Sequence, residues 1–283
     1  MRVTREIPTH WQMPGNAQML NRQTVVADYS YQHCPLGDYD ESCLQQTASG
    51  TSTNSTTDSQ ASNLSPDMKV YKEVIRYESA PLSELLSWKA TSQDMFNIAV
   101  TPLAKRYPPI DSKRPKTLVC HDMMGGYLED RFIQGADSKD PYVFYHWQYI
   151  DIFVYFSHRM FTLPPVCWTN TAHQHGVSVL GTFITEWEDG AKTCESFLAG
   201  DESTYKAVAD QMVALARFYR FDGWLINIEN VLSPVAVSRM PLFLSYLTEK
   251  LHSEVPGGLV LWYDSVIHTG ELKWQNELND DNR

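Results

Sequence analysis

Between residues 117 and 264 the chain alternates five short apolar runs with stretches of helical periodicity, and few architectures accept that pattern. The runs are "TLVCHD" (117–122), "DIFVYFSH" (151–158), "VSVLGTFI" (177–184), "WLINIE" (224–229) and "LVLWYD" (259–264). Each is rich in Val, Ile, Leu and aromatic residues without strict in–out alternation, which marks a strand covered on both faces. Between them lie "PPVCWTNTAHQH", "TYKAVADQMVALARFYRF" and "SPVAVSRMPLFLSYLTEKLHSEV", with apolar residues at helical spacing and a Pro241 expected to kink or split the last. Doubly covered strands alternating with helices imply an α/β fold with a parallel sheet.

In such sheets the chemistry sits at the carboxyl ends of the strands. The polar residues gather there: His121 and Asp122, Ser157 and His158, Glu186 with Trp187, Asn227 with Glu229, and Tyr263 with Asp264. This favours a (β/α)8 TIM-barrel type over a doubly wound sheet, and no GxGxxG follows any strand. With about five strands the barrel is expected to be incomplete, leaving the edges of the first and fifth strands free. Two smaller elements are expected ahead of it, a helix over "SELLSW" (83–88) capped by Ser83 and a strand over "FNIAV" (96–100).

The stretch "DGWLINIEN" (222–230) spends two positions of one strand face on polar groups. Side chains alternate along a strand, so Asn227 and Glu229 point the same way, about 7 Å apart. The spacing D-G-x-x-x-N-x-E is similar to the D-G-x-x-x-D-x-E of barrel enzymes that cleave 2-acetamido sugars by substrate assistance. There the acetamido oxygen is the nucleophile, one side chain orients the acetamide, and a carboxylic acid protonates the leaving oxygen. Such enzymes stand outside the two-carboxylate rule. A general acid needs a raised pKa, which burial beside Trp224 or Tyr263 would favour at Glu229. The same spacing also fits two hydrogen-bonded structural groups, and Asp222 reads as a turn former. Glu186, Glu188 and Asp189 offer a second carboxylate for an ordinary glycosidase.

A longer set of motifs adds to this. "CHDMMGGYLEDRFIQG" (120–135), "YHWQYIDIFVYFSH" (145–158), "HQHGVSVLGTFITEW" (173–187), "DGWLINIEN" and "LVLWYDSVIHTGELKWQNELN" (259–279) resemble, in order, the cytosolic endo-β-N-acetylglucosaminidase family, glycoside hydrolase family 85. The resemblance runs from about residue 70 to the end. It implies a (β/α)8 catalytic barrel followed by β-sandwich domains, and retaining cleavage of the GlcNAc-β-1,4-GlcNAc bond in the N-glycan core. It implies N-glycoproteins, glycopeptides or free N-glycans as substrates, and no cofactor. By motif, Glu229 would be the general acid/base, Asn227 the group that orients the acetamide, and Tyr263 an aid to oxazolinium formation. Trp187 and Trp274 would face sugar. His121, Asp122, Gly125 and Gly126 match a family motif by the first strand and are expected to contact substrate. The resemblance breaks off at "WQNELNDDNR", where a sixth strand would begin. The expectation is therefore a partial barrel over 68–283 that is unstable or inactive alone, after a largely disordered extension over 1–67.

Composition narrows the rest. A net charge of −11 with a sequence pI of about 5.2 excludes a basic nucleic-acid footprint. No apolar run nears the ~18–20 residues of a membrane span. The N-terminus lacks the apolar core of a signal peptide, and the five cysteines form no CxxC pair, so a cytosolic setting is expected. Residues 44–66, rich in Ser, Thr, Gln and Asn, read as a disordered linker. His146, His158, His173 and His175 lack metal-ligand spacing and read as structural or surface groups.

Overall fold

A computed structural model describes residues 5–6, 25–28, 81–92, 94–109, 112–123, 130, 142–275 and 279–282. In chain order the elements are β1 (Arg5–Glu6), β2 (Val25–Asp28), α1 (Leu82–Ser87), β3 (Thr117–Asp122), β4 (Ile152–Phe156), β5 (Phe161–Thr162), α2 (Val166–Gln174), β6 (Ser178–Glu186), α3 (Trp187–Leu198), α4 (Glu202–Tyr219), β7 (Gly223–Glu229), α5 (Pro234–Glu254) and β8 (Leu259–Trp262). Short 3₁₀ turns lie at Asp94–Asn97 and Trp147–Tyr149. The expected linker and the glycine pair at 125–126 lie outside the described residues.

The strands join in one sheet of order β1-β8-β7-β6-β4-β3-β2, with β5 paired to β6 off that path. From β2 to β8 every pair along the path is parallel. The five expected strands are β3, β4, β6, β7 and β8, in the expected order. The expected free edges are not found. β2 pairs with β3 in parallel, and β1 pairs with β8 antiparallel. Both covering segments are too short for periodicity to reveal them in the sequence.

Strand parity sorts side chains into two layers. Leu118, Ile152, Val154, Leu180, Leu225, Leu261 and Tyr263 form one buried cluster on the inner face. The intervening positions pack outward: Trp224, Ile226, Ile228 and Val260 meet α3, α4 and α5, while Val119, Phe153, Tyr155 and Val179 meet Trp168 and Ala172 of α2. Burying Trp224 and Phe183 against these helices supplies on the order of 2–3 kcal/mol each.

Caps and turns fix where the strands begin. Asp201 accepts from Ser203 N at 2.8 Å to start α4, and Arg220 ends it in the left-handed region. Asp222 then brackets three strands. Its carboxylate accepts from Val179 N at 2.7 Å, its N–H donates to Val179 O, and its carbonyl accepts from Leu259 N. Gly223 follows at φ +145, where an added Cβ would lie 1.9 Å from Leu259 O. The D-G dipeptide is therefore the point where β6, β7 and β8 are locked together, away from the carboxyl ends.

Three local expectations differ from what is found, the first only in that Pro241 does not split its helix. α5 runs unbroken through Pro241, because Met240, Phe243, Leu244 and Leu247 hold both halves in one core. Residues 96–100 form no strand. Asn97 instead accepts from Val166 N at the start of α2, and Asn170 accepts from Val100 N and Thr101 N. Ser83 lies inside α1, whose cap position is Pro81. α3 was not expected at all: its Gly190 and acidic first turn hide the spacing of Cys194, Phe197 and Leu198, which bury it.

Candidate active site

The inner-face positions of β7 are Leu225, Asn227 and Glu229, in order towards the carboxyl end. Leu225 closes the apolar inner cluster, and above it the polar groups begin. Asn227 is buried at 3% exposure, so its amide must find a partner. It donates from Nδ2 to Glu229 Oε1 at 3.2 Å, leaving Oδ1 as the acceptor that an incoming group can address. Glu229 is half-buried at the mouth.

Neighbouring strands set what stands beside this pair. On the β6 side Ile184 is the register partner of Asn227, and Glu186 that of Glu229. On the β8 side Trp262 is the partner of Ile226. Tyr263 extends that ladder, donating its N–H to Ile226 O at 3.0 Å, so it stands beside Asn227. Tyr263 is buried in the inner cluster. Asp264 follows and accepts from Asn282 Nδ2 at 3.0 Å. Asn227, Glu229 and Tyr263 are thus brought together on one face at the carboxyl ends of adjacent strands.

Asp122 ends β3 on the same inner parity, and His158 links it to β6. Nε2 of His158 lies 3.7 Å from Asp122 Oδ2, and Nδ1 lies 3.0 Å from Glu186 Oε2. Burial, the largest single influence, works against charge on this ring. The hydrogen bond to Glu186 and the charges of Glu186 and Asp122 together outweigh it and raise the His158 pKa. This bridge has no signature in the sequence, since its members lie 28 and 64 positions apart along the chain (186 − 158 and 186 − 122).

Among the described residues, His121 is an expected contact whose side chain leaves the opposite face of the sheet from Asp122. One residue before Asp122, it points to the outer layer. There Nε2 meets Tyr142 Oη at 2.5 Å, and the ring packs among Tyr142, Phe144, Phe153 and Trp168. Burial lowers its pKa more than Asp122 and Asp130 raise it. Its place is that of a core histidine, because the pleat that turns Asp122 inward turns His121 outward.

Trp187 is the first residue of α3, with 82% of its surface exposed and φ at +58. That left-handed conformation is uncommon for a bulky residue and costs roughly 1–2 kcal/mol. Trp274 is 56% exposed, beyond the Val266–Leu272 bridge that folds the segment after β8. Among the described residues, no group of three His, Cys, Asp or Glu side chains is arranged to hold a metal ion.

With this geometry established, known proteins are informative. The model of the family described as glycosyl hydrolase family 85 matches residues 127–283. A protein of Mus musculus named cytosolic endo-beta-N-acetylglucosaminidase is 66% identical over 209 residues, covering 74% of this chain and 28% of that protein. Cytosolic endo-beta-N-acetylglucosaminidase 1 of Arabidopsis thaliana is 51% identical over 188 residues, covering 66% of this chain and 27% of that one. The chain therefore spans little more than a quarter of the length of these relatives. Among solved structures, the glycoside hydrolase domain of Endo-D from Streptococcus pneumoniae R6 aligns with a TM-score of 0.58 at 22% identity, over 72% of this chain and 33% of that one. At that identity the likeness concerns the fold, which is the barrel type.

Proposed function

The chain belongs to glycoside hydrolase family 85, and from that premise we propose that it carries the acid/base pair of an endo-β-N-acetylglucosaminidase. The substrates would be N-glycoproteins, glycopeptides or free N-glycans, cut between the two core GlcNAc residues with retention. The relatives are named cytosolic, and we assign this chain to the same compartment.

The observation that carries this is the 3.2 Å hydrogen bond joining Asn227 to Glu229 on the inner face of β7. Because Nδ2 is committed to Glu229, Oδ1 accepts the N–H of the substrate 2-acetamido group. That pushes electron density onto the acetamide oxygen, which attacks the anomeric carbon and closes the oxazolinium ring. The bond to the leaving oxygen breaks as Glu229 gives up its proton to it. Glu229, now a carboxylate, takes a proton from the water that reopens the ring, so both steps use one side chain. The Tyr263 hydroxyl steadies the charge that develops beside Asn227. Trp187 and Trp274 offer exposed aromatic planes to the CH faces of flanking sugars.

A mass-shift assay on a high-mannose glycopeptide tests this directly, the product being the peptide with one GlcNAc. Glu229→Gln should lower kcat about 10²–10⁴-fold, the range for loss of a general acid. Asn227→Ala should block ring closure while leaving Glu229 in place. Undiminished turnover by Glu229→Gln would refute the assignment. Cleavage of chitin oligomers without cleavage of the glycopeptide would move the chain to a chitinase-like activity. Glycan binding without turnover would reduce it to a binding module.

A further inference from the structure

The chain on either side of Glu229 is hydrogen-bonded to one hairpin. Before Glu229, Ile228 O accepts from Ser265 Oγ; after it, Leu232 N donates to Gly270 O at 2.9 Å. Residues 265–273 fold between these two points. Ile267 N donates to Glu271 O at 3.0 Å, Lys273 N donates to Ser265 O at 2.8 Å, and Val266 bridges Leu272. Gly270 makes the turn at φ +88, and an added Cβ there would lie 2.3 Å from Leu232 O. The hairpin is therefore seated along residues 228–232, the strand end that bears Glu229, and its returning arm leads directly into Trp274.

A second set of contacts holds both neighbours of Trp274. Nζ of Lys273 lies 2.5 Å from Asp281 Oδ2. Asn279 donates from Nδ2 to Gln275 Oε1 at 2.6 Å, and Gln275 Nε2 donates to Lys273 O at 2.6 Å. Residues 279–282, which supply these contacts, are themselves anchored. Asp281 O accepts from His268 N at 3.0 Å, Asn282 Nδ2 donates to Asp264 Oδ2 at 3.0 Å, and Asn279 Oδ1 accepts from Asp281 N at 2.9 Å. Residues 273 and 275 are thus both pinned, while the indole between them stands exposed. An aromatic side chain on loose backbone loses conformational freedom each time it stacks on a ligand. On a pinned backbone that loss is incurred once, on folding.

We propose that Asp281 and Asn279 are positioning residues for Trp274, holding Lys273 and Gln275 so that the indole forms a wall of the sugar cleft beside Glu229. This inference rests on the reading above in which Trp274 faces sugar. Placing a stacking wall changes how tightly the sugar is held and leaves the proton transfer of Glu229 as it was. The Lys273–Asp281 pair lies at the surface, where such contacts are individually weak, so its loss is a several-fold effect and not one of orders of magnitude.

The test reads the indole and the ligand separately. The full chain is labelled with 5-fluorotryptophan, and the Trp274 line in the fluorine NMR spectrum is identified as the one missing from Trp274→Phe. Asp281→Ala combined with Asn279→Ala should shift or broaden that line and leave those of the buried Trp147, Trp168 and Trp224 in place, which also shows that the fold is intact. Affinity for the high-mannose glycopeptide is measured by calorimetry in the Glu229→Gln background, where cleavage is slow. Asp281→Ala should weaken binding about 2–5-fold, and should add nothing in the Trp274→Ala background. With Glu229 in place, Asp281→Ala should raise KM by a similar factor at unchanged kcat. A contact that merely steadies residues 279–282 would act equally with and without the indole. An unmoved Trp274 line overturns this proposal alone, as does equal weakening by Asp281→Ala in the two backgrounds. Unchanged affinity in Trp274→Ala, or no glycopeptide binding at all, would overturn the sugar-facing reading of Trp274 and this inference with it.

Discussion

Three residues near the sheet illustrate how local surroundings set charge and strain. Nδ1 of His173 contacts Thr101 O at 2.8 Å, and Nε2 contacts Asp222 at 2.8 Å. Burial, the largest influence, opposes its charge, but Asp222 and the Thr101 carbonyl prevail and raise its pKa. A raised folded pKa adds stability that is complete below the unfolded value, near 6.5, and disappears as pH rises through the folded value. His121 has the opposite sign. Its lowered pKa means that the unfolded chain takes up a proton first, so stability is lost as pH falls through about 6.5. In urea melts, His173→Gln should therefore cost more at pH 5.5 than at pH 8.5, and His121→Phe should flatten the loss on the acid side. Equal costs at both pH values for His173→Gln would contradict the Asp222 pairing. Trp187 presents a different balance, being both exposed and left-handed. Trp187→Gly should relieve about 1 kcal/mol of backbone strain and raise the melting temperature, while raising KM for the glycopeptide. If the melting temperature rises and KM stays unchanged, the strained backbone is not held for sugar contact.

Two elements are tested by single atoms of backbone. Gly223→Ala puts a methyl group against Leu259 O, a main-chain atom that cannot rotate away. It should cost about 2–4 kcal/mol and loosen β8 from β7, read by denaturant melts and by amide exchange of Leu259. Pro241 sits within α5 and removes the hydrogen bond that Val237 O would otherwise accept. Pro241→Ala should stabilise the protein by about 1–3 kcal/mol, and a lower melting temperature would mean the proline shapes the helix in a way its neighbours need. These two positions also mark how far elements are legible from sequence. The D-G turn and the apolar runs are read correctly because their constraint is local: "TLVCHD" coincides with β3 residue for residue. Pro241 does not split α5, because burial of Met240, Phe243 and Leu247 outweighs a local penalty. α3 and β5 go unread because they exist only against partners: β5 is two residues long and defined by Thr182 and Phe183. At the site the same division holds. Asn227 and Glu229 are legible from alternation along one strand, and Tyr263 from the end of another. The His158 bridge joins three separate segments, and the outward turn of His121 depends on a parity that only the inner cluster reveals.

At the scale of the whole molecule, the carboxyl-end rim is only as ordered as the sheet beneath it. Its six parallel strands run from β2 to β8, and the inner cluster spans residues of β3, β4, β6, β7 and β8. An uncovered edge offers unpaired N–H and C=O groups to other chains. Here β2 pairs with β3 over Val25–Asp28, and β1 pairs with β8 over Arg5–Glu6. Segments far from the site in sequence therefore close both flanks of the strands that carry Asp122, Asn227, Glu229 and Tyr263. The 44–66 tract, rich in Ser, Thr, Gln and Asn, lies outside the described residues. Loop closure depends only weakly on length, about 0.6 kcal/mol per doubling, so removing that tract should leave the melting temperature within a few degrees. Removing residues 1–30 should instead expose both edges. The shortened protein is expected to self-associate in light scattering, to melt well below the intact chain, and to lose exchange protection at Leu261 and Trp262 and along β3. Protection falling in β3 and β8 while persisting in β6 and β7 would identify the edges as the cause. Uniform protection after removal of 1–30, with the protein still monomeric, would mean that β3 and β8 hold their places without either covering strand.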